Sequence, residues 1–340
     1  MGNDEVRMLK TQLDKYFQDS ELQLIVKDVI GTANTVKIQA DLLSAIDTYF
    51  SVSLDKMLFI ESSIGVVFGF LLSDGARVVL KVFSPKLSLQ YLEEMNRVQT
   101  IFSEAQFPAP AVLSPIFKWG QTHAGFYAYI EGEKEDAHQS NIRFELAKAL
   151  ARFSDIVDEH HLKPTDNFFH LASNKRLWPI PHNALFDLKR TTRGAGWIAE
   201  KAQKARKILN ASSFVKRLAH TDWGCKNAVF QGGCLTGIFD WDSLGAMSEP
   251  EMVGRAAAQF TADWKSGLKV TPTPEEGRLF VEAYAKCRHK KWTQEEYQII
   301  SASTDYLIAI IARFEHARGD KEIHPYQDLL RALKDTSFLF

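Results

Sequence analysis

The sequence is short of the features that mark secreted, membrane-bound and disulfide-linked proteins. It has three cysteines, Cys225, Cys234 and Cys287, whose wide spacing fits neither a disulfide framework nor a metal site, so reduced thiols are expected. No apolar run approaches the roughly 20 residues of a membrane span, and the first residues contain no apolar signal-peptide core. We therefore expect a soluble, cytoplasmic protein with no membrane partner.

Neither sign of charge is in excess. The 340 residues include 41 Lys and Arg against 42 Asp and Glu, which gives a formal net charge of -1. General nucleic-acid-binding proteins are usually strongly basic, so nucleic acid is not expected as a partner. Hydrophobic residues make up 45% of the chain, an ordinary share for a globular protein that is long enough to form two lobes.

The stretch His220–Asp242 concentrates polar side chains of the kinds that carry chemistry. Within it, two apolar-rich pieces flank the four residues Gln231–Cys234, which contain a Gly-Gly pair. This pattern predicts a β-hairpin. A hairpin here would return the chain so that Asp240 comes close to Asp222 and Asn227.

Such a cluster suits phosphoryl transfer from a nucleotide. That reaction needs a carboxylate to orient the attacking hydroxyl and hard oxygen ligands for Mg²⁺. Asp222 is the candidate base, and Asn227 and Asp240 are the candidate Mg²⁺ ligands, with Asp242 as a further ligand or as support behind the first metal. His220 is interpreted as an organiser of the loop that hydrogen-bonds backbone, and not as the base.

The order of these residues resembles the H-G-D-x-x-x-x-N … D-x-D signature of the aminoglycoside phosphotransferase and choline kinase family. Thr221 stands where that family usually has Gly. The resemblance covers about Met57 to Arg318. It implies an α+β, protein-kinase-like two-lobe fold, with an antiparallel sheet in the N-lobe and a mostly helical C-lobe. It also implies ATP, or alternatively GTP, together with Mg²⁺ as cofactors.

The region from residue 57 to residue 83 predicts the strands of the N-lobe. Lys81 interrupts an apolar strand, and a buried, unpaired ammonium is costly, so either it binds nucleotide phosphates or the strand lies at a sheet edge with Lys81 in water. Gly65 would let the first hairpin lie close over the phosphates. On the predicted helix Pro85–Phe102, Glu94 lies at the edge of the apolar face and Glu93 lies opposite it. Glu94 is therefore the expected partner of Lys81, and the alternative is that Glu94 is simply solvated.

The apolar pattern predicts that residues 1–50 form a helical extension, for packing or for dimer contact. The resemblance implies that residues 51–131 form the nucleotide-binding N-lobe and residues 132–340 the catalytic and substrate-binding C-lobe. The adenine is expected near Ala128, Tyr129 and Ile130, unless this segment is an ordinary strand end. Monomer and homodimer stay open.

The phosphate acceptor is expected to be a hydroxyl of a small molecule such as an amine, a sugar or an antibiotic. Trp223, Trp241, Glu249 and Glu251 could receive an amine by cation–π and charge contacts. Alternatively, the tryptophans belong to the core and the two acids stabilise a helix N-terminus. Two other functions compete: a catalytically silent nucleotide-binding scaffold and a protein kinase, the latter disfavoured because H-R-D, D-F-G and A-P-E motifs are missing.

Overall fold

A computed structural model of the chain describes residues 3–165, 176–181, 185–319, 324–334 and 336–340. The described residues divide into two compact units. The first comprises the chain up to Thr100 together with Pro110–Tyr129. The second comprises Ile101–Ala109 and the described residues from Ile130 onwards.

The strands of the five-stranded sheet lie in the first part of the chain, and most of the helices lie in the second part. The helices are α1 (Asn3–Tyr16), α2 (Ser20–Ile30), α3 (Thr35–Tyr49), α4 (Leu89–Glu104), α5 (Ser140–Glu159), α6 (Gly196–Ala211), α7 (Glu249–Gln259), α8 (Pro274–Cys287), α9 (Gln294–Arg318) and α10 (Pro325–Ala332). The strands are β1 (Leu54–Ser62), β2 (Val66–Leu72), β3 (Arg77–Val82), β4 (Phe117–Trp119), β5 (Thr122–Ala128), β6 (Arg217–His220), β7 (Ala228–Gln231), β8 (Cys234–Ile238) and β9 (Leu244–Met247).

The first unit is built on an antiparallel five-stranded sheet with the order β1-β2-β3-β5-β4. The turn between β2 and β3 is the one that the Ser-Asp-Gly sequence predicts. Gly75 has φ +86°, and the Asp74 carboxylate accepts a hydrogen bond from the Ala76 N–H at 2.9 Å. Both features are the ordinary chemistry of a tight turn, because Gly tolerates positive φ and Asp bonds to the backbone two residues on.

Residues 3–49 are mostly helical, and the end of α3 packs onto the sheet of the first unit. Leu42 and Ile46 on α3 are fully buried. The ring of Tyr49 lies 5.7 Å from that of Phe126, and the ring of Phe50 lies 4.9 Å from it. These contacts place the end of α3 against the sheet, and the role expected for the extension, packing or dimer contact, stays a prediction.

The second unit is mainly helical. Helix α9 runs for 25 residues and packs against α6, α7 and α10. Two small sheets, β6 with β9 and β7 with β8, lie in the same unit. The β7–β8 turn has Gly232 and Gly233 at φ +56° and +78°, so this is the hairpin that the Gly-Gly pair predicts. Within the described part of the chain, no helix combines the length and the apolar character needed to cross a membrane.

Candidate active site

Two loops meet because β6 and β9 pair with each other. His220, the last residue of β6, lies opposite Leu244, the first residue of β9. The loop that follows β6 carries Asp222 and Asn227, and the loop that precedes β9 carries Asp240. The β7–β8 hairpin closes the connection, and the Phe239 N–H donates to the Asn227 carbonyl oxygen at 2.8 Å. The strand pairing thus brings together the two loops that carry the predicted catalytic residues.

His220 fastens these two loops to each other. Its Nε2 lies 3.0 Å from the Phe239 carbonyl oxygen, which can only accept, so Nε2 carries the proton. Its Nδ1 then accepts from the Asp222 N–H at 3.4 Å. The ring is buried and packs edge-to-face on Trp223. His220 therefore bonds to backbone on both sides, as the sequence predicted, and holds the position of Asp222.

Thr221 adds a bond that the Gly usual at this position could not make. Its Oγ1 donates to the Ser243 carbonyl oxygen at 2.7 Å, and its N–H donates to the same oxygen at 2.9 Å. Its own carbonyl oxygen accepts from Arg255 Nε at 2.5 Å and from Gln259 Nε2 at 3.4 Å, both on α7. The departure from the family pattern therefore ties the loop more tightly.

Asp222 is an ionised carboxylate with defined neighbours. Asn227 Nδ2 donates to its carbonyl oxygen at 2.8 Å and to its Oδ2 at 3.1 Å, and Lys226 Nζ lies 2.8 Å from its Oδ1. Burial alone would raise the pKa of Asp222, and the nearby Asp240 acts in the same direction. The positive charges of Lys226 and Arg255 outweigh both and hold that pKa below its ordinary value. The carboxylate is thus ready to accept a hydrogen bond from a hydroxyl.

Asp240 is held in an uncommon backbone conformation. Its φ of +65° and ψ of +43° place it in the left-handed region, where Asp is one of the few side chains that is tolerated. The Ser243 hydroxyl donates to its Oδ2 at 2.6 Å, and the Ser243 N–H donates to its carbonyl oxygen at 2.9 Å. Asp242, two residues on, is buried. The local fold therefore fixes where the Asp240 carboxylate is presented.

The oxygen donors of this loop pair fit a divalent cation that arrives with phosphates. Among the described residues, no three His, Cys, Asp or Glu side chains gather closely enough to hold a metal by themselves. Mg²⁺ in nucleotide sites usually takes one or two protein ligands, and phosphate oxygens and water complete the shell. One carboxylate, Asp240, and one carboxamide oxygen, Asn227, are a suitable set for that arrangement.

In the first unit, Lys81 lies on an interior strand. Its neighbours across the sheet are Val67 on β2 and Gly125 on β5. The edge-strand alternative is therefore wrong. Lys81 Nζ lies 5.8 Å from the centre of the Phe83 ring, which offers the ammonium a cation–π contact. Its contact with nucleotide phosphates stays a prediction.

Glu94 is paired within its own helix. Arg97, one turn later on α4, donates Nη2 to its Oε1 at 2.6 Å and Nε to its Oε2 at 2.7 Å. These hydrogen bonds lower the pKa of Glu94. In the structure, the Glu94 carboxylate therefore pairs with Arg97. A contact between Glu94 and Lys81 stays a prediction.

Gly65 and the predicted adenine segment have clear local roles. A Cβ on Gly65 would lie 2.6 Å from the Val82 carbonyl oxygen, so the close approach of β3 requires Gly there. The Ala128 N–H donates to the Ala111 carbonyl oxygen at 2.8 Å, and the Tyr129 N–H donates to the Arg77 carbonyl oxygen at 3.3 Å. Two of the three backbone N–H groups expected near adenine are therefore engaged within the protein. The adenine position, including Ile130, stays a prediction.

The expected acceptor role of Trp223 and Trp241 is wrong, because both rings are in the core. Trp223 is 1% exposed and Trp241 is 3% exposed. Their indole N–H groups donate to the carbonyl oxygens of Leu146 at 3.1 Å and Ile238 at 2.9 Å. Both rings also pack on Phe153. A ring enclosed in this way has no face to offer a substrate.

Trp223→Ala is expected to lower the free energy of unfolding by about 3–5 kcal/mol, because a large buried ring is replaced by a cavity. Chemical denaturation followed by circular dichroism measures this loss. Trp264→Ala is the matched control: Trp264 is 51% exposed, and we expect a change within about 0.5 kcal/mol. Equal losses in the two variants would contradict the assignment of Trp223 to the core.

Glu249 also does not face a substrate, because it is the centre of a buried ion cluster. Its Oε1 accepts from the Tyr284 hydroxyl at 2.7 Å and from Arg288 Nε at 3.2 Å. Its Oε2 accepts from Lys290 Nζ at 3.1 Å and from Arg217 Nη1 at 3.3 Å. Burial alone would raise the pKa of Glu249, but these donors and charges outweigh it and lower that pKa. Glu249 therefore joins β6, α7 and the end of α8.

Glu249→Gln is expected to lower the free energy of unfolding by about 3 kcal/mol at neutral pH, because it leaves buried cations uncompensated. The folded pKa lies below the ordinary value of 4.5, so below pH 4.5 the unfolded chain takes up a proton that the folded protein does not. The difference between the wild type and the variant should thus shrink as the pH falls below 4.5. Denaturation curves at several pH values measure it.

The matched control for this variant is Asp328→Asn, which removes the carboxylate of an exposed ion pair with Arg331. Such a pair contributes at most about 1 kcal/mol. A loss in Glu249→Gln no larger than in this control would show that the cluster does not stabilise the fold.

Glu251 occupies the first turn of α7, one turn before Arg255. Its side chain is partly buried. Burial raises the pKa of Glu251, although the positive charges of Lys216, Arg255 and Arg206 act against it. Of the four residues proposed to receive the acceptor, Glu251 alone is neither in the core nor in the Glu249 cluster, and its role stays a prediction.

Two cations beside Asp222 were not identified from the sequence. Lys226 lies four residues after Asp222, a spacing that places side chains together in a helical turn, so a signal was present. Arg255 belongs to α7, and only the packing of α7 beneath the loop brings it to Thr221. The site thus holds more positive charge than the motif alone indicates.

Comparisons with known proteins find a family model and solved structures that are similar to this chain. The family model described as "Phosphotransferase enzyme family" matches residues 65–249, more than half of the chain. No curated protein matches the chain. Among solved structures, amicoumacin kinase hAmiN in complex with AMP-PNP, Ca²⁺ and Ami has a TM-score of 0.60 at 12% identity and covers 88% of this chain and 94% of its own.

Two other solved structures extend this likeness. The Plasmodium vivax ethanolamine kinase has a TM-score of 0.55 at 15% identity and covers 97% of this chain and 94% of its own. A thermostable variant of aminoglycoside phosphotransferase APH(4)-Ia with AMP-PNP and hygromycin B has a TM-score of 0.55 at 14% identity and covers 86% and 98%. These likenesses confirm the predicted α+β, protein-kinase-like fold. The chain belongs to the phosphotransferase enzyme family.

Proposed function

We propose that this protein transfers the γ-phosphate of ATP to a hydroxyl of a small molecule. The observation that carries the proposal is the ionised Asp222 carboxylate, hydrogen-bonded to Asn227 and held by His220 next to the loop of Asp240. Phosphoryl transfer requires these groups: a carboxylate for the attacking hydroxyl and hard oxygen ligands for the metal.

In the proposed mechanism, Asp222 orients the acceptor hydroxyl and takes its proton as the new P–O bond forms. Asn227 and Asp240 would hold Mg²⁺, with Asp242 behind them or at a second ion. The metal, when bound, neutralises charge on the phosphates and on the leaving oxygen. Because the transition state of phosphoryl transfer is loose, the positions of these groups matter more than their basicity. The hydrogen bonds of His220 and Thr221 supply that positional control.

The nucleotide contacts belong to the same proposal. Lys81 would bind the α and β phosphates, with Glu94 released from Arg97 to hold it. Gly65 would let the first hairpin approach the phosphates, and the Ala128–Ile130 segment would take the adenine. Residues 51–131 are then the nucleotide-binding part and residues 132–340 the catalytic part. ATP is favoured by the AMP-PNP in two of the similar structures, and GTP is the alternative.

The acceptor is a hydroxylated amine, sugar or antibiotic-like compound. Similar folds include kinases whose names refer to amicoumacin and ethanolamine, so the fold accommodates chemically different acceptors. The aromatic part of the expected acceptor site is not formed by Trp223 and Trp241, which are buried. Trp264 is an exposed tryptophan near Lys226 and is a better candidate.

Incubation of the protein with Mg-ATP and a library of such compounds tests the proposal. Mass spectrometry should detect an acceptor that has gained one HPO₃ unit, together with equimolar ADP. Asp222→Asn is the control for a contaminating kinase. Nucleotide binding without transfer to any compound would favour the silent scaffold, and transfer to a generic protein substrate would favour a protein kinase.

A further inference from the structure

Lys226 places a positive charge directly beside the proposed base. Its Nζ lies 2.8 Å from Asp222 Oδ1, and the two side chains are only 27% and 22% exposed. The same ammonium lies 5.5 Å from the centre of the Trp264 ring. Both contacts belong to the second unit. The tip of this flexible side chain is thus fixed by an anion and by an aromatic ring.

The backbone of Lys226 is fixed as well. Lys226 belongs to the short 3₁₀ turn Cys225–Asn227. Lys134 Nζ donates to the Lys226 carbonyl oxygen at 2.6 Å and to the Ala228 carbonyl oxygen at 2.9 Å. The next residue, Asn227, is the proposed metal ligand. The backbone that carries the ammonium is therefore fixed before any ligand binds, so only the side chain has to turn when the nucleotide arrives.

A purely structural role for Lys226 does not fit its ion pair with Asp222, for two reasons. The Oδ1 atom that Lys226 contacts belongs to the carboxylate that must receive the acceptor hydroxyl. A partly exposed pair of this kind contributes only about 1 kcal/mol or less to stability. A γ-phosphate with several negative oxygens is a stronger partner for an ammonium than one carboxylate. When the nucleotide binds, the Lys226 ammonium would therefore leave Asp222 and contact the γ-phosphate.

We propose that Lys226 is a catalytic residue whose ammonium binds the transferred phosphoryl group. This inference rests on the proposed phosphotransferase function. As the acceptor oxygen forms its bond to the γ-phosphorus, the bond to the β,γ-bridging oxygen breaks and ADP leaves with those electrons. The acceptor proton passes to Asp222. Lys226 transfers no proton; it donates hydrogen bonds to phosphoryl oxygens whose charge is being redistributed.

Lys226→Met keeps the length of the side chain and removes its charge, and it tests the proposal. Its kcat for ATP turnover, with the identified acceptor or with water, should fall roughly 10²- to 10³-fold, the effect of removing one transition-state donor. The KM for ATP should rise by a much smaller factor than kcat falls, because the ammonium already contacts the γ-phosphate before transfer. Lys226→Arg should recover part of the lost rate. Lys204→Met on α6, which removes a 69% exposed ammonium, is the matched control.

Binding of Mg-ADP with aluminium fluoride separates this role from a structural one, because the fluoride complex imitates the phosphoryl group in transfer. Wild type should bind this complex more tightly than Mg-ADP alone, and Lys226→Met should lose that gain while it melts as wild type does. A retained gain in Lys226→Met would overturn the inference and leave Lys226 as a structural partner of Asp222. A wild type that binds neither Mg-ATP nor the fluoride complex would overturn the proposed function itself.

Discussion

Asp222→Asn is expected to lower kcat by roughly 10²- to 10⁴-fold, the range lost when a general base is removed. The substitution keeps the shape of the side chain, and the backbone carbonyl of residue 222 still accepts from Asn227 Nδ2. What disappears is the group that takes the acceptor proton. Steady-state assays of ADP release, coupled to acceptor phosphorylation, measure the effect.

Nucleotide binding should survive this substitution, because Asp222 contacts the acceptor and not the nucleotide in the proposed mechanism. Titration of Mg-ATP, followed by calorimetry, should give the same dissociation constant for Asp222→Asn and wild type. Turnover at the wild-type rate in Asp222→Asn would contradict the assignment of Asp222 as the base. A rate lost together with nucleotide affinity would instead indicate a collapsed loop.

The second large effect is expected at Asp240. Asp240→Ala should abolish the magnesium-dependent part of nucleotide binding, because it removes the only carboxylate ligand proposed for the first metal. At a nucleotide concentration of about one hundred times the dissociation constant, this contribution amounts to roughly 2.7 kcal/mol of folding stability. Thermal melting with Mg-ATP, and with ATP plus a chelator, measures it.

Asp240→Asn separates the charge of this residue from its backbone role. Asn tolerates the left-handed conformation that residue 240 adopts, and its side-chain oxygen can still accept from the Ser243 hydroxyl. We therefore expect Asp240→Asn to fold as wild type does and to bind Mg-ATP weakly. Full magnesium dependence in Asp240→Asn and Asp240→Ala would move the metal ligand to another residue.

The sequence predicted the parts of this molecule whose causes are local. The Gly-Gly pair at Gly232 and Gly233 dictates a two-residue turn, and that turn is the reason why the Asp240 loop returns to the Asp222 loop. The apolar run around Lys81 also predicted strand β3 correctly. Strand β4 has three residues, too few to produce a recognisable sequence pattern.

Other expectations failed because their causes lie far apart in the chain. Trp223 and Trp241 are sequence neighbours of Asp222 and Asp240, but the tight loops turn adjacent side chains in different directions, and both rings point into the core. Glu249 looked like an acid at a helix N-terminus, and its partner Arg288 lies 39 residues later. Arg255 lies 34 residues after Thr221, so the sequence did not indicate that it contacts the catalytic loop.

Glu94 shows a different limit of sequence reasoning. The helical wheel correctly placed it at the edge of the apolar face, yet it did not weigh Arg97, three residues on, as a competing partner. Lys226 is the opposite case, since its spacing of four residues from Asp222 was visible and its importance depends on the short helical turn that follows Gly224. Local competition between charges is thus harder to predict than strand order.

The central claim is that this chain holds a magnesium-nucleotide site at Asn227 and Asp240, and thermal melting tests it most directly. The purified protein is melted with Mg-ATP, with Mg-GTP, and with each nucleotide plus chelator, beside the Asp240→Ala variant. We predict that Mg-ATP raises the melting temperature by about 4 °C, that the chelator removes the shift, and that Asp240→Ala shows none. A protein that melts cooperatively at one temperature under all of these conditions would contradict the account.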